Sequence, residues 1–187
     1  RALWCHSAFG IPGCSWDRTI GWLKENGFNA IFPNMLWAGV AYYSSAVLPT
    51  AFEIEEKGDQ ITQCLEACRK HGVQIHVWKV NWNLSRAPRE FVERMRVEGR
   101  LQKDRWGNDV EWFCPSSPEN HELELESMLE IVRNYDVDGI HFDYIRYPDG
   151  NSCYCPKCRK RFEESRAMKI ESWPEEVISG AYAEDFT

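Results

Sequence analysis

The sequence contains no apolar run approaching the roughly 20 residues that a membrane-crossing helix needs, so no segment of it is expected to span a bilayer. It has no surplus of positive charge either. Its 22 Lys and Arg are outnumbered by 29 Asp and Glu, for a net charge of -7, whereas phosphate backbones are held by clustered basic side chains. Nucleic acid is therefore not an expected partner. No Gly-rich G-x-G-x-x-G turn follows the first strand-like segment, which argues against dinucleotide binding and leaves no organic cofactor indicated. The chain opens on Arg1 rather than Met and runs directly into a strand-like segment, so any export signal is expected to lie outside these residues. Apolar and aromatic residues, by contrast, are plentiful. They make up 43% and 13% of 187 residues, enough to bury one globular core and too much for a disordered chain. Nine Trp exceed what core packing alone requires, because indole usually keeps an edge near a polar partner or solvent. Indole and phenol faces stack on sugar C–H faces, so aromatics clustered beside carboxylates would suit a glycan site.

Runs rich in Val, Ile, Phe and Trp alternate with longer stretches of helical period, the pattern of repeated βα units around a parallel sheet. Four strands are expected, at residues 2–7, 28–34, 73–80 and 139–146. The first helix is expected over 16–26, with Ser15 as N-cap and Gly27 as its stop. A second, over 59–71, carries Ile61, Cys64, Leu65 and Cys68 on one face and ends at Gly72. A short helix is expected over 88–98, and the stretch holding Arg105, Trp106, Gly107 and Asn108 reads as a loop or hairpin. Ser117 and Pro118 supply an N-cap and first-turn proline for a helix over 119–135. The long segment 35–57 between a strand and its helix is of the kind that carries function. Four βα units fit either a small doubly wound sheet or half of an eight-stranded barrel, which needs about 250 residues. Polar or aromatic insertions after each strand end favour the barrel, whose enzymes build their sites from those loops. The expected fold is thus a TIM (β/α)8 barrel, with residues 1–187 forming a single partial domain of about the first four βα units and a Cys-rich loop at 149–160.

Side chains alternate across a strand, so His141, Asp143 and Ile145 share one side of the fourth strand, and Ile140, Phe142 and Tyr144 the other. If the apolar set faces the helices, His141 and Asp143 point into the barrel, with Asp143 nearer the carboxyl-end mouth. The same parity sends His76 and Trp78 inward on the third strand, opposite Ile75 and Val77, and Trp4 and His6 inward on the first. A carboxylate in such a place must be paired or hydrogen-bonded. Arg146, three residues on, is the candidate to orient Asp143 or bind substrate, with an ordinary buried Asp–Arg pair as the alternative. Asp138, just before Gly139, reads as a turn residue, and His71 and His121 as surface or capping residues on helices.

The eight cysteines fall into groups. Cys64 and Cys68, one helical turn apart on an apolar face, read as packed thiols, and Cys5 and Cys14 flank a loop and could pair in an oxidising compartment. Cys153, Cys155 and Cys158 place three thiols on one short loop, and a tetrahedral structural zinc needs one more ligand, for which Cys114 is the candidate. Disulfides among these four are the alternative. A catalytic zinc fits less well, since four thiolates leave no position open for water.

The segment from Tyr135 through DVDGIHFDYIRY to Pro148 resembles the signature of the glycosyl hydrolase-like family ten of bacterial proteins. Pieces at 23–30 (LKENGFNA), 71–78 (HGVQIHVW) and 114–118 (CPSSP) agree with that family in order, and the resemblance covers most of the chain. It implies a TIM barrel acting on cell-wall or other extracellular polysaccharide, with functional residues at the carboxyl ends of the strands and Asp143 first among them. An extracellular or periplasmic location goes with that reading. A more distant likeness is to family 42 β-galactosidases, which place a C-x-C-x-x-C loop after the fourth strand and complete a structural zinc site with an upstream Cys, as Cys114, Cys153, Cys155 and Cys158 would. Those enzymes carry an acid/base Glu at the strand end where this sequence has Asp143.

Glycoside hydrolysis takes two carboxylates, and only Asp143 presents itself; its partner is expected on a later barrel strand. The expected roles are Asp143 as acid/base or nucleophile, with Arg146, His76, His141 and Asn34 as substrate contacts. Trp37, Trp78 and Tyr147 are the expected sugar platforms. The rival is a non-catalytic carbohydrate-binding barrel lacking the second carboxylate. A third option is metal-dependent hydrolysis using His6, His76, His141 and Asp143 as ligands. Four strands alone would expose two sheet edges and a wide apolar face, so the other barrel half is expected from the same longer chain or from self-association.

Overall fold

Four of the apolar runs form the parallel strands of one sheet. The structure, a computed structural model, describes residues 1–186. Its elements in order are β1 (Ala2–Cys5), α1 (Trp16–Glu25), β2 (Ala30–Trp37), β3 (Val40–Ala41), α2 (Ile54–Lys57), α3 (Gln60–His71) and β4 (Gln74–Val80). There follow α4 (Arg89–Val97), β5 (Leu101–Lys103), β6 (Asp109–Phe113), α5 (Pro118–Asn134), β7 (Gly139–Asp143), α6 (Pro156–Arg166), α7 (Glu175–Ile178) and α8 (Ala183–Phe186). The sheet order is β1-β2-β4-β7, each adjacent pair parallel, and β3 turns back antiparallel on β2. Parallel neighbours need a crossover, and α1, α3 and α5 lie in the three crossovers.

The helices form where the residues dictate. Ser15 Oγ accepts the Arg18 N–H at 3.2 Å at the start of α1, and Asp59 Oδ1 accepts the Thr62 N–H at 2.8 Å at the start of α3. Gly72 ends α3 in the left-handed conformation (φ 64°), which a side chain would strain. Ile20 and Leu23 of α1, Ile61, Cys64, Leu65 and Cys68 of α3 and Ile131 of α5 are buried against Ile31, Met35, Ile75 and Val77 on the outer face of the sheet. Each such side chain contributes about 1.5–3 kcal/mol on leaving water, so this layer holds the sheet and leaves its other face free to carry polar and aromatic groups.

Segment 35–57, expected as a loop, is largely core. Tyr42, Tyr43, Leu48, Ala51 and Ile54 are buried, and Glu130 of α5 clamps the segment by accepting from Tyr43 OH (2.9 Å), Ser45 Oγ (2.6 Å) and the Ala46 N–H (2.6 Å). Burial, with Glu130 alongside, pushes the Tyr43 phenol well above its ordinary range. Segment 101–113 is the hairpin of β5 and β6.

Several expectations need correction. Strand β2 runs to Trp37 instead of stopping at Asn34, because the register shifts between Asn34 and Leu36 and β3 pairs with its end. Strand β7 stops at Asp143, not Arg146. Tyr144 turns left-handed (φ 57°) with its N–H bonded to Asp143 Oδ1 at 2.7 Å, so parity fails beyond it and Ile145 is 63% exposed. Phe142, expected under a helix, is 52% exposed. It lies on a terminal strand, from which the chain leaves into the cysteine loop. Finally, Ser117 precedes α5 without capping it. Its hydroxyl donates to the Glu119 carboxylate and accepts from Lys157 Nζ at 2.7 Å.

Candidate active site and metal centre

On the inner face of the sheet, alternation gathers rings from all four parallel strands. Phe32 of β2 is central, stacked on Trp4 of β1 (centroids 5.2 Å apart) and on His76 of β4 (4.9 Å), with His141 of β7 edge-on at 5.3 Å. Trp4 Nε1 donates to His141 Nε2 at 3.2 Å, and His6 meets the Trp78 ring at 4.7 Å. Trp78 is in register with Asn34 on one side and His141 on the other. Asn34 is buried, and its Oδ1 has no hydrogen-bond partner among the described residues. This face therefore offers an aromatic floor, imidazoles and one buried polar acceptor. Trp4 remains 51% exposed on it.

Asp143 stands at the carboxyl end of β7. Its Oδ2 accepts from Trp78 Nε1 at 3.1 Å and its Oδ1 from the Tyr144 N–H, so two N–H donors orient it. Arg146 lies instead over the Tyr144 ring, 4.7 Å from its centroid. Asp143, Trp78, His141, His76 and Asn34 are thus brought onto one face. Trp37 is at the far end of β2, with the Arg86 guanidinium 5.2 Å from its ring. Tyr147 is elsewhere, in a cavity of about 510 Å³ lined also by Cys153, Cys158, Arg161 and Phe162. Burial raises its phenol above the ordinary range.

Sequence reasoning overlooked Phe32. The signal was there, since it precedes Asn34 by two residues and so shares its side of β2. Lys79 of β4 was also missed. A charged residue in a strand otherwise buried on that side is a cue, but its partner, Glu124 of α5, is visible only in three dimensions.

The second constellation lies beyond β7. Cys114, Cys153, Cys155 and Cys158 are buried with their Sγ atoms all within 4.8 Å of one another. Cys114 Sγ is 3.4 Å from Cys155, 3.5 Å from Cys158 and 3.8 Å from Cys153. Four sulfurs bound tetrahedrally at about 2.3 Å from a zinc would stand about 3.8 Å apart, so the donor set fits such an ion. The alternative of disulfides is not realised, as all eight cysteines are free thiols. The four thiols share their hydrogen bonds, which lower Cys155 and Cys158 from the ordinary thiol range and raise Cys114 and Cys153. Among the described residues this is the one group able to hold a metal. His6, His76, His141 and Asp143 form no such group, and their rings and oxygens are engaged as described above. Cys5 and Cys14 are unpaired, Cys5 donating to the Ser7 carbonyl at 3.2 Å, and Cys64 and Cys68 are packed in the core as expected.

Parallel strands in chain order, joined by crossover helices, are the arrangement of a βα barrel. This chain builds four of its strands. The sequence model of the family glycosyl hydrolase-like 10 matches residues 15–172, and the chain belongs to that family. An S-layer-related protein of Niallia circulans is 28% identical over 84% of this chain and 12% of its own length. The glycosyl hydrolase YngK of Bacillus subtilis is 22% identical over 67% of this chain and 26% of its own length. The chain thus spans about a quarter or less of these two relatives. Among solved structures, an alpha-L-fucosidase (isoenzyme 2) from Paenibacillus thiaminolyticus superposes with a TM-score of 0.66 at 20% identity, over 98% of this chain and 29% of that one. That likeness establishes the TIM-barrel fold.

Proposed function

We propose that these residues form the first half of a glycoside hydrolase barrel acting on a poly- or oligosaccharide, with Asp143 as its acid/base or nucleophile. The observation that carries this reading is the placement of Asp143. Its carboxylate stands at the carboxyl end of β7, where barrel enzymes do their chemistry, oriented by the Trp78 indole and the Tyr144 amide. His76 and His141 would contact hydroxyls and Trp37 would stack on a sugar face, while Asn34 and Trp78, both buried, would form the floor beneath them. Arg146, over the Tyr144 ring, and Tyr147, in the cavity beside the cysteines, would meet only a substrate long enough to reach past β7. The second carboxylate would come from a later strand, since among the described inward positions of the four parallel strands only Asp143 is acidic. The strands completing the barrel would pair with β1 and β7, supplied by the rest of a longer chain or by another copy. Cys114, Cys153, Cys155 and Cys158 would hold a zinc ion, which when bound would brace the loop after β7 and supply no chemistry to the reaction.

The test is reducing-sugar release from a glycan panel by a protein carrying the complete barrel. Asp143→Asn is expected to lower turnover about 1000-fold, roughly 4 kcal/mol of barrier. Glycan binding with no release, unaltered by Asp143→Asn, would establish the non-catalytic binding barrel instead.

A further inference from the structure

The outer side of β4 carries a buried ionic group among apolar neighbours. Lys79 Nζ lies 3.2 Å from Glu124 Oε2, with side chains 3% and 7% exposed. The same carboxylate accepts from Asn81 Nδ2 at 2.5 Å and, through Oε1, from the Trp82 N–H at 3.4 Å. Trp82 is left-handed (φ 68°), a conformation a bulky side chain resists, and buried, with its carbonyl accepting from the Phe113 N–H at 2.8 Å. Asn81, joined to this carboxylate by its side chain, donates its backbone N–H to the Asp143 carbonyl at 2.9 Å. One residue back, Val80 is in register with Asp143.

A buried ion pair is a poor way to gain stability, since apolar side chains of the same volume serve as well or better. What this one does is gather three donors, all from the end of β4, onto one acceptor fixed on α5. We propose that Glu124 is a positioning residue: through Asn81 it holds the ends of β4 and β7 together, and so keeps the Asp143 carboxylate on the Trp78 indole. This rests on the reading of Asp143 as the reacting carboxylate. Asn81 is the link. Its side chain belongs to the network behind the sheet, and its amide belongs to the strand end in front. Loosening the link would let Asp143 drift by a fraction of an ångström to an ångström, which a reacting group does not tolerate.

The test follows the indole N–H resonance of Trp78 in a protein carrying the complete barrel, assigned by its loss in Trp78→Phe. In Glu124→Gln and Asn81→Ala this N–H is expected to exchange with solvent at least about tenfold faster. In a protein carrying the complete barrel, kcat is expected to fall about tenfold to 100-fold with KM unchanged. Asn81→Ala keeps the Lys79–Glu124 pair, so it decides the matter if Glu124→Gln does not fold. Trp78 exchange unchanged in folded Asn81→Ala overturns the proposal. So does an Asn81→Ala chain without cooperative unfolding, because the network would then only maintain the fold. Faster Trp78 exchange in a protein with no glycosidase activity supports the coupling while removing the glycosidase reading.

Discussion

The sheet and the cysteine segment are held together in opposite ways. Behind β1, β2, β4 and β7 lies a continuous apolar layer in which Ile20, Ile31, Ile61, Ile75 and Val77 are fully buried, and the inner face can therefore afford rings, imidazoles and a carboxylate. Beyond β7 the described residues form a smaller separate cluster, with Phe162, Ile170 and Val177 buried and Tyr154, Trp173 and Phe186 packed against them. Its other anchor is a buried cluster of four thiols whose donor set fits a metal ion. The first region owes its order to area removed from water. The second has less such area, and on the proposed reading a metal held by its thiols would supply the rest, as in other small cores.

That contrast can be broken most strongly at the cysteines. Cys155→Ser, or chelation of the metal, is expected to abolish metal binding, with a loss of local stability on the order of several kcal/mol in residues 149–166. Hydrogen exchange should show that loss while α1 and α3 keep their protection. If α1 and α3 melt together with the cysteine segment, the two regions are one cooperative unit. The converse is Ile75→Ala, which opens a cavity in the layer behind the sheet and should cost about 2–5 kcal/mol in urea unfolding. Metal content measured below the new midpoint should stay at one ion per chain. Phe32→Ala is expected to cost less, about 1–2 kcal/mol, because its stacking partners sit on a partly open face. Its clearer readout is the release of His141, seen as a shifted imidazole resonance; an unmoved His141 would mean the rings do not hold one another.

The smallest expected effect is on pH dependence. Glu163 of α6 accepts the Ile170 N–H at 3.0 Å and the Arg159 guanidinium at 2.9 Å, and these hydrogen bonds bring its carboxyl down to about 2. A carboxyl depressed by folding stabilises above its unfolded value, near 4.3, and loses that contribution as pH falls toward 2. Protection in α6 should therefore decline between about pH 4 and pH 2. In Glu163→Gln the decline should flatten, while α1 and α3 respond as before. An unchanged profile would assign the acid sensitivity to other carboxylates.

Much of the site was legible because the features involved are local and periodic. Period two placed Trp4, His6, His76, Trp78, His141 and Asp143 on one side of their strands, and capping chemistry at Ser15 and Gly72 marked helix ends. Cysteine spacing singled out a quartet that the fold assembles from residues 39 to 44 positions apart. Periodicity failed where the backbone leaves the regular strand. The shift after Asn34 and the left-handed turn at Tyr144 are set by neighbours in space, so Ile145 fell outside the face that parity assigned it.

By itself, the sequence determined the βα repeat, the inward residues of each regular strand and the four thiols suited to a metal, because alternation, helix period and ligand spacing act over a few residues. Only the tertiary structure decided which groups hold them. Asp143 is gripped by Trp78 rather than Arg146, and Lys79 and Asn81 converge on Glu124 from more than 40 positions away. The reason is that a buried polar group must find a partner wherever packing supplies one, and packing brings together residues whose separation along the chain carries no mark of their contact.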